Sequence, residues 1–185
     1  KYKYIKMKEK ILITGGAGYI GSLLSEYFVN NGYVTTVVDN LMYKQNSLLH
    51  CCYKDNFHFK NIDVCNYSAM KELIKKNDII IPLAAIVGAP ACKKYQHLVK
   101  SINYDSNINI INNISKNQLV IFPTTNSGYG IGEKDEYCTE ESPLRPVSEY
   151  GKLKVEIEKL YLESGNAITL RLATVFGMSP RMRTD

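Results

Sequence analysis

The sequence predicts an α/β chain built on a doubly wound parallel sheet, and three observations predict it. Short apolar runs rich in Ile and Val alternate along the chain with segments of helical periodicity. The first run, Ile11-Leu12-Ile13, breaks into glycines at Gly15, Gly18 and Gly21. The second, Val34 to Val38, ends in Asp39. Crossovers between parallel strands are right-handed almost without exception, so this order winds into one twisted sheet with helices on both faces.

Strands are expected at 10–14, 33–39, 56–61, 78–83, 118–124 and 167–173, each short and apolar enough for burial on both faces. Helices are expected at 19–31, at 67–76, within 94–116, and at 148–164. In the first helix Ile20, Leu23, Leu24, Tyr27 and Phe28 recur at helical spacing as a buried face, and Asn31-Gly32 is a stop signal. In the last, Leu153, Ile157, Leu160 and Tyr161 share a face, and Ser164-Gly165 ends it in the same manner.

Composition narrows the classes. With 185 residues, 45% hydrophobic and 22% charged, the chain has the make-up of one globular domain with a sizeable core. No apolar run approaches the roughly 20 residues that span a bilayer. The basic start lacks the apolar stretch of a signal peptide, so a cytoplasmic location is expected. Of the net charge of +5, +4 gathers in the first ten residues, where five lysines face Glu9 alone. The rest is near neutral without a basic stripe, which argues against nucleic acid as a partner. The five cysteines are irregularly spaced and form no Cys-x-x-Cys pair. The neighbours His50, Cys51, Cys52, His58 and Cys65 lack the spacing of a tetrahedral site, so no metal is expected. The organisation reads as a basic tail at 1–9, a nucleotide-binding domain at 10–178, and the start of a substrate-binding region at 179–185. Met7 lies nearer a natural start than Lys1, and the whole reads as an N-terminal fragment without its C-terminal substrate domain.

The chemistry sits in two motifs. Gly15, Gly18 and Gly21 lie where a Rossmann-type turn holds a dinucleotide diphosphate: backbone must approach the phosphate oxygens, and the helix from Tyr19 aims its free N–H groups there. Asp39, about 20 residues on, suits the adenosine ribose. The second motif is Tyr150-Gly-Lys-Leu-Lys154, whose tyrosine and second lysine share a helix face. A phenol near pKa 10 works as a base at neutral pH only after a drop of about 3 units, roughly 4 kcal/mol, part of which a fixed ammonium supplies. Phe122-Pro-Thr-Thr125-Asn-Ser127-Gly-Tyr129-Gly130 ends the fifth strand with hydroxyls, where doubly wound sheets bind ligands, and Thr125 is placed to orient the reacting oxygen for Tyr150.

From Lys10 to about Arg183 these motifs resemble the extended short-chain dehydrogenase/reductase family, in its nucleotide-sugar epimerase and dehydratase branch. The resemblance rests on Thr14-Gly-Gly-Ala-Gly-Tyr-Ile-Gly21, Val38-Asp39-Asn40-Leu41, Asp63-Val64, Leu83-Ala84-Ala85, Asn103, Thr125 before Tyr129-Gly130, and Tyr150 with Lys154. It implies NAD as cofactor. Backbone N–H groups of Tyr19 and Ile20 would meet the pyrophosphate, and Asp39, with Asn40 beside it, would hold the adenosine ribose and repel a 2′-phosphate. Asp63 and Val64 would flank the adenine. Leu83, Ala84 and Ala85 would pass under the cofactor, and Asn103 would brace their loop. Tyr150 would be the acid/base, Lys154 would hold the nicotinamide ribose, and Thr125 would position a sugar hydroxyl.

The implied reaction is transient oxidation of a nucleotide sugar, usually at C4, followed by re-reduction with inversion, dehydration or decarboxylation. Dehydratases of the branch follow the threonine with an acid pair; here Asn126 and Ser127 stand there, which favours an epimerase. Val87, Asn126 and Thr174 are the remaining candidate substrate contacts, Thr174 replacing an asparagine of the family turn. Alternatives are a dehydratase or reductase of the same family, or a non-catalytic NAD-binding regulatory protein. A homodimer is implied through helices 94–116 and 148–164, with Tyr161 and Leu162 at the shared face.

Overall fold

A computed structural model describes residues 8–131 and 137–182. Of the tail expected at 1–9, residues 1–7 lie outside the described residues, as do the terminal residues 183–185. Six strands form one parallel sheet in the order β3-β2-β1-β4-β5-β6: β1 Lys10–Thr14, β2 Val34–Asp39, β3 Phe57–Asn61, β4 Ile79–Pro82, β5 Leu119–Thr125 and β6 Ala167–Leu172. Every pairing is parallel. The order reverses at β1 and β4, where chain leaves to opposite sides, and the carboxyl ends at such a reversal are where ligands bind in doubly wound sheets.

Central strands are apolar on both faces and are buried as expected: Ile11, Leu12, Ile13, Val37, Val38 and Ile80 have no exposed surface. The outer strands depart from that expectation. Only Phe57 of β3 is fully buried, and Ile168 and Leu170 of β6 are about half exposed, because an edge strand has cover on fewer sides.

The helices are α1 Tyr19–Asn30, α2 Tyr67–Lys75, α3 Ala89–Lys94, α4 Gln96–Lys100, α5 Ser106–Ile111 and α6 Glu149–Ser164. Short helical turns cover Leu49–Cys51 and Asn126–Tyr129. The expected helix within 94–116 is broken into α4 and α5 by a wider π turn at Ser101–Asp105, and α3 precedes it unforeseen. The face of α1 also differs from the expectation. Gly21, Ser22, Ser25 and Val29 point to the sheet, whereas Leu23 and Tyr27 are exposed. Small residues let this helix lie close against β1 and β2, a geometry that apolar periodicity does not report. Leu24 and Phe28 pack at its margin. The two stop signals hold: Gly32 and Gly165 both take positive φ, 78° in each case.

One core layer joins Leu12, Val38, Ile80, Val120 and Phe122 to Met70, Ile74, Ile102, Ile110, Ile157 and Tyr161. The other packs Ile11, Ile13, Val37 and Ile81 against Val29, Leu48 and Phe57. Tyr161 belongs to the first layer. It is fully buried against Phe122, with ring centres 4.9 Å apart, and its hydroxyl donates to Asn107 Oδ1 at 3.0 Å. It is therefore not at a shared face as expected, while Leu162 beside it is half exposed.

Candidate active site

A parallel sheet delivers all its carboxyl ends to one edge, and the residues singled out in the sequence collect there. Gly15 follows β1, Asp39 ends β2, Asp63 follows β3, Leu83 follows β4, Thr125 ends β5 and Thr174 follows β6.

The glycine turn is steric in origin. Gly15 has φ 66°, and a Cβ on it would stand 2.7 Å from Ala84 N. A Cβ on Gly21 would stand 2.5 Å from Gly15 O. Only backbone fits at either position. Gly15 N donates to Val38 O at 2.7 Å and Gly18 N to Gly15 O at 3.0 Å, so the turn is fixed to the sheet. The first turn of α1 receives no side-chain cap from Gly18. Its Tyr19 and Ile20 N–H groups lie at a helix start, beyond intrahelical partners. This cradle, without a Cβ at Gly15, Gly18 and Gly21 and with N–H donors at the start of α1, fits a dinucleotide diphosphate.

At the end of β2 the Asp39 carboxylate is 8% exposed and already engaged. Oδ1 accepts from Leu41 N at 2.8 Å and Gln45 Nε2 at 3.2 Å, and Oδ2 accepts from Ala17 N at 3.1 Å. Burial raises its pKa, and these hydrogen bonds and the Arg181 charge oppose the rise. Gln45 Oε1 beside it is buried without a hydrogen-bond partner, an acceptor suited to a ribose hydroxyl. Asn40 Nδ2 donates to Asp63 Oδ2 at 2.9 Å, which links the ends of β2 and β3. Burial pushes the Asp63 carboxyl up, but hydrogen bonds from Cys65 N–H and Asn40 outweigh it and hold the group below its ordinary value. Val64 is buried in the core next to it.

At the other end, Leu83 N donates to Thr14 O and Ala84 N to Thr14 Oγ1, and Ala85 is half-buried in the same loop. Asn103, in the π turn and 1% exposed, ties that loop from beneath. Its Oδ1 accepts from Ile86 N at 2.8 Å and its Nδ2 donates to Ile86 O at 3.0 Å. Thr125 Oγ1 accepts from Ser127 N at 3.1 Å, which leaves its proton free to be donated outward. Ser148 caps α6 by accepting from Gly151 N at 3.0 Å, and Tyr150 and Lys154 follow one turn apart. Lys154 is 5% exposed; its Nζ donates to Pro123 O at 3.1 Å and stands 4.4 Å from the Phe122 ring centre. Burial pulls its pKa down from 10.5 to about 8. Tyr150 is half-buried at the start of α6, and Val87, Asn126 and Thr174 are exposed in the segments after β4, β5 and β6.

Sequence reasoning passed over three parts. Gln45 carries no motif that points to Asp39. Ser179, 8% exposed, donates to Tyr19 O at 2.7 Å across 160 positions, a pairing no local pattern reports. Glu158 is the exception: it lies four residues beyond Lys154 on the same helix, a spacing that already places it on that face. It holds Arg171 Nε at 2.8 Å, and Arg171 Nη1 donates to the Tyr129 hydroxyl at 3.2 Å.

The sequence matches the model of the NAD dependent epimerase/dehydratase family over residues 11–185. It is 37% identical over 127 residues to a UDP-N-acetyl-alpha-D-glucosaminuronate decarboxylase of Bacillus cytotoxicus, covering 68% of this chain and 39% of that protein. It is 26% identical to a UDP-glucose 4-epimerase of Dictyostelium discoideum, covering 93% of this chain and 54% of that one. Among solved structures, UDP-glucuronic acid 4-epimerase from Bacillus cereus in complex with NAD superposes with a TM-score of 0.79 at 27% identity, over 94% of this chain and 60% of that chain. The chain thus spans about half or less of the curated relatives named here. With the glycine cradle, the carboxylate-ended β2 and the Thr125, Tyr150 and Lys154 set on one edge, the match over nearly the whole chain means that it belongs to the NAD-dependent epimerase/dehydratase family.

Proposed function

We propose that this chain is the NAD-binding half of an epimerase that acts on a nucleotide sugar by transient oxidation at C4, in the cytoplasm and as a homodimer. The observation that carries the reading is the set at the end of β5. Thr125 offers a hydroxyl proton there, and Lys154 is buried under the same strand with its ammonium on Pro123 O. Tyr150 precedes it by one turn of α6.

In this reading the Tyr19 and Ile20 N–H groups hold the diphosphate, and Asp39 with Gln45 receives the adenosine ribose. Asn40, Asp63 and Val64 border the adenine, and Leu83, Ala84 and Ala85 support the cofactor from below. NAD bound in this groove supplies a hydride acceptor and returns the hydride later. The Tyr150 phenolate takes the proton of the sugar C4 hydroxyl, and gives it back when the carbon is reduced from the opposite side. Lys154 favours that phenolate, because a cation kept out of water acts on a neighbouring charge with little screening. Thr125 donates to the same oxygen and orients it. Val87, Asn126 and Thr174 border the sugar.

The test is incubation of the full-length protein with NAD and a panel of UDP-sugars, read by NMR of the products. A C4 epimer with no net NADH supports the reading. A 4-keto-6-deoxy sugar identifies a dehydratase, and stoichiometric reduced nicotinamide identifies a net reductase. Tyr150→Phe is expected to abolish turnover while leaving NAD affinity nearly unchanged; equal loss of both overturns the acid/base role, and NAD binding without any turnover in the wild type favours a regulatory protein.

A second reading has its own support. The relative at 37% identity is named as a decarboxylase of a UDP-sugar acid. A C4 ketone would also activate loss of a C5 carboxylate, using the same three residues. Release of carbon dioxide from UDP-uronic acids separates this outcome from epimerisation.

A further inference from the structure

The stretch after β6 turns back over the glycine turn and is fastened to it. The Tyr19 hydroxyl donates to Gly177 O, Ser179 Oγ donates to Tyr19 O at 2.7 Å and lies 3.1 Å from Ser22 Oγ, and Arg181 N donates to Ser179 Oγ at 3.2 Å. Residues 173–178 are exposed, so the burial of Ser179 marks where the chain docks. The docking site is the first turn of α1, whose N–H groups line the groove. Two residues further on, Arg181 sets its guanidinium 4.9 Å from the centre of the Tyr43 ring, in the loop after β2. That loop is sharply bent, with φ 54° at Leu41 and 53° at Lys44. The Arg181 charge is felt by Asp39.

We propose that Arg181 is a cofactor-binding residue: the strap from Gly177 to Arg181 forms the outer wall of the dinucleotide groove, and its guanidinium closes over the adenosine half of NAD beside Asp39 and Gln45. The inference rests on the reading of the groove as an NAD site. Three protein N–H groups already occupy the Asp39 carboxylate, which leaves it about one acceptor site for a ribose hydroxyl. Gln45 Oε1 adds one acceptor. Neither group answers the negative charge of a diphosphate. Arg181 does, and stacking on Tyr43 fixes its planar fork before the ligand arrives, so little side-chain entropy is lost on binding. The Tyr43 contact holds Arg181 beyond the end of β2, on the side of the groove where Asp39 and Gln45 lie, and β1 and β4 separate it from β5 by about 14 Å at ordinary strand spacing.

The experiment is calorimetric titration of NAD and of ADP-ribose into the full-length protein, stripped of nucleotide, as wild type, Arg181→Ala, Arg181→Lys, Ser179→Ala and the Ser179→Ala/Arg181→Ala double variant. Arg181→Ala is expected to weaken both ligands about tenfold, the loss typical of a charge-assisted contact. Arg181→Lys recovers part of that loss. Ser179→Ala weakens binding by less, and the double variant binds no more weakly than Arg181→Ala, because the serine acts by placing the arginine. Arg181→Ala affinities within about twofold of wild type overturn the proposal. So does a loss confined to NAD with ADP-ribose unaffected, since the contact would then lie at the nicotinamide end. Melting of the ligand-free proteins reads folding; if Arg181→Ala melts lower, Arg181→Lys alone decides, unchanged affinity counting against the proposal. A wild type that binds neither ligand is a different result, and overturns the NAD reading itself.

Discussion

Lys154 shows what the site demands of single residues. Its ammonium is kept from water by β5 and α6, and its pKa falls from 10.5 to about 8. In the unfolded chain the group keeps its proton to about pH 10.4. Between those values the unfolded state binds more protons than the folded one, so folding stability rises with pH there. Below pH 8 the full penalty is present, about 3 kcal/mol for a shift of this size, before the bond to Pro123 O is set against it. Lys154→Met, which keeps the length of the chain without the charge, is expected to melt about 4–8 °C higher than wild type at pH 7, roughly 2 kcal/mol. The difference is expected to shrink between pH 8 and 10. Thermal melts across that range check it; a variant that melts lower at pH 7 would mean that the lysine contributes more through its contacts than burial costs. Asp39 is a parallel case, a buried carboxylate whose pKa burial raises although its hydrogen bonds and the Arg181 charge oppose the rise.

At the scale of elements, the pair of Glu158 on α6 and Arg171 on β6 joins the helix of Tyr150 and Lys154 to the sheet edge. The side chains are 4% and 16% exposed, and Arg171 also donates to Glu140 O and to the Tyr129 hydroxyl in the turn after Thr125. Removing one member leaves the other charge uncompensated: Arg171→Met is expected to lower stability by about 3 kcal/mol, and a Glu158→Leu/Arg171→Met double variant to recover most of it. Urea unfolding of the two proteins measures both. The elements themselves were largely legible. Runs such as Ile11-Leu12-Ile13 and stops such as Asn31-Gly32 are local, and the strand bounds agree with the sequence reading to within a residue or so. What was not legible is non-local or purely steric. The inward face of α1 is set by how closely Ser22 and Ser25 let it approach the sheet, and the π turn by the demand that Asn103 reach both main-chain groups of Ile86. Likewise Thr125, Tyr150 and Lys154 could be read from spacing, whereas Gln45, Arg171 and Ser179 meet their partners through the fold.

At the scale of the whole chain, the described residues form one sheet with the proposed site along its carboxyl edge, so a ligand lying on that edge would touch the ends of β1, β2 and β4 at once. Binding there stabilises the folded state alone. NAD at about 100 times its dissociation constant is expected to add about 2.7 kcal/mol, or some 5–10 °C in melting temperature. A scanning-fluorimetry titration reads the shift, and an unchanged melting point at saturating NAD would contradict it.

The strap from Gly177 to Arg181 bears on how the protein comes into being. During synthesis the chain emerges from its amino end, and the glycine turn and α1 are among the first parts made. The serine that fastens the outer wall to Tyr19 is made 160 residues later. A growing chain can form the βαβ units early, yet its groove stays open on one side until the segment beyond β6 has cleared the ribosome. Competence to hold the dinucleotide tightly is thus acquired only once this segment has emerged, and a released chain cut after Leu172 would possess the whole sheet but a leaky cleft.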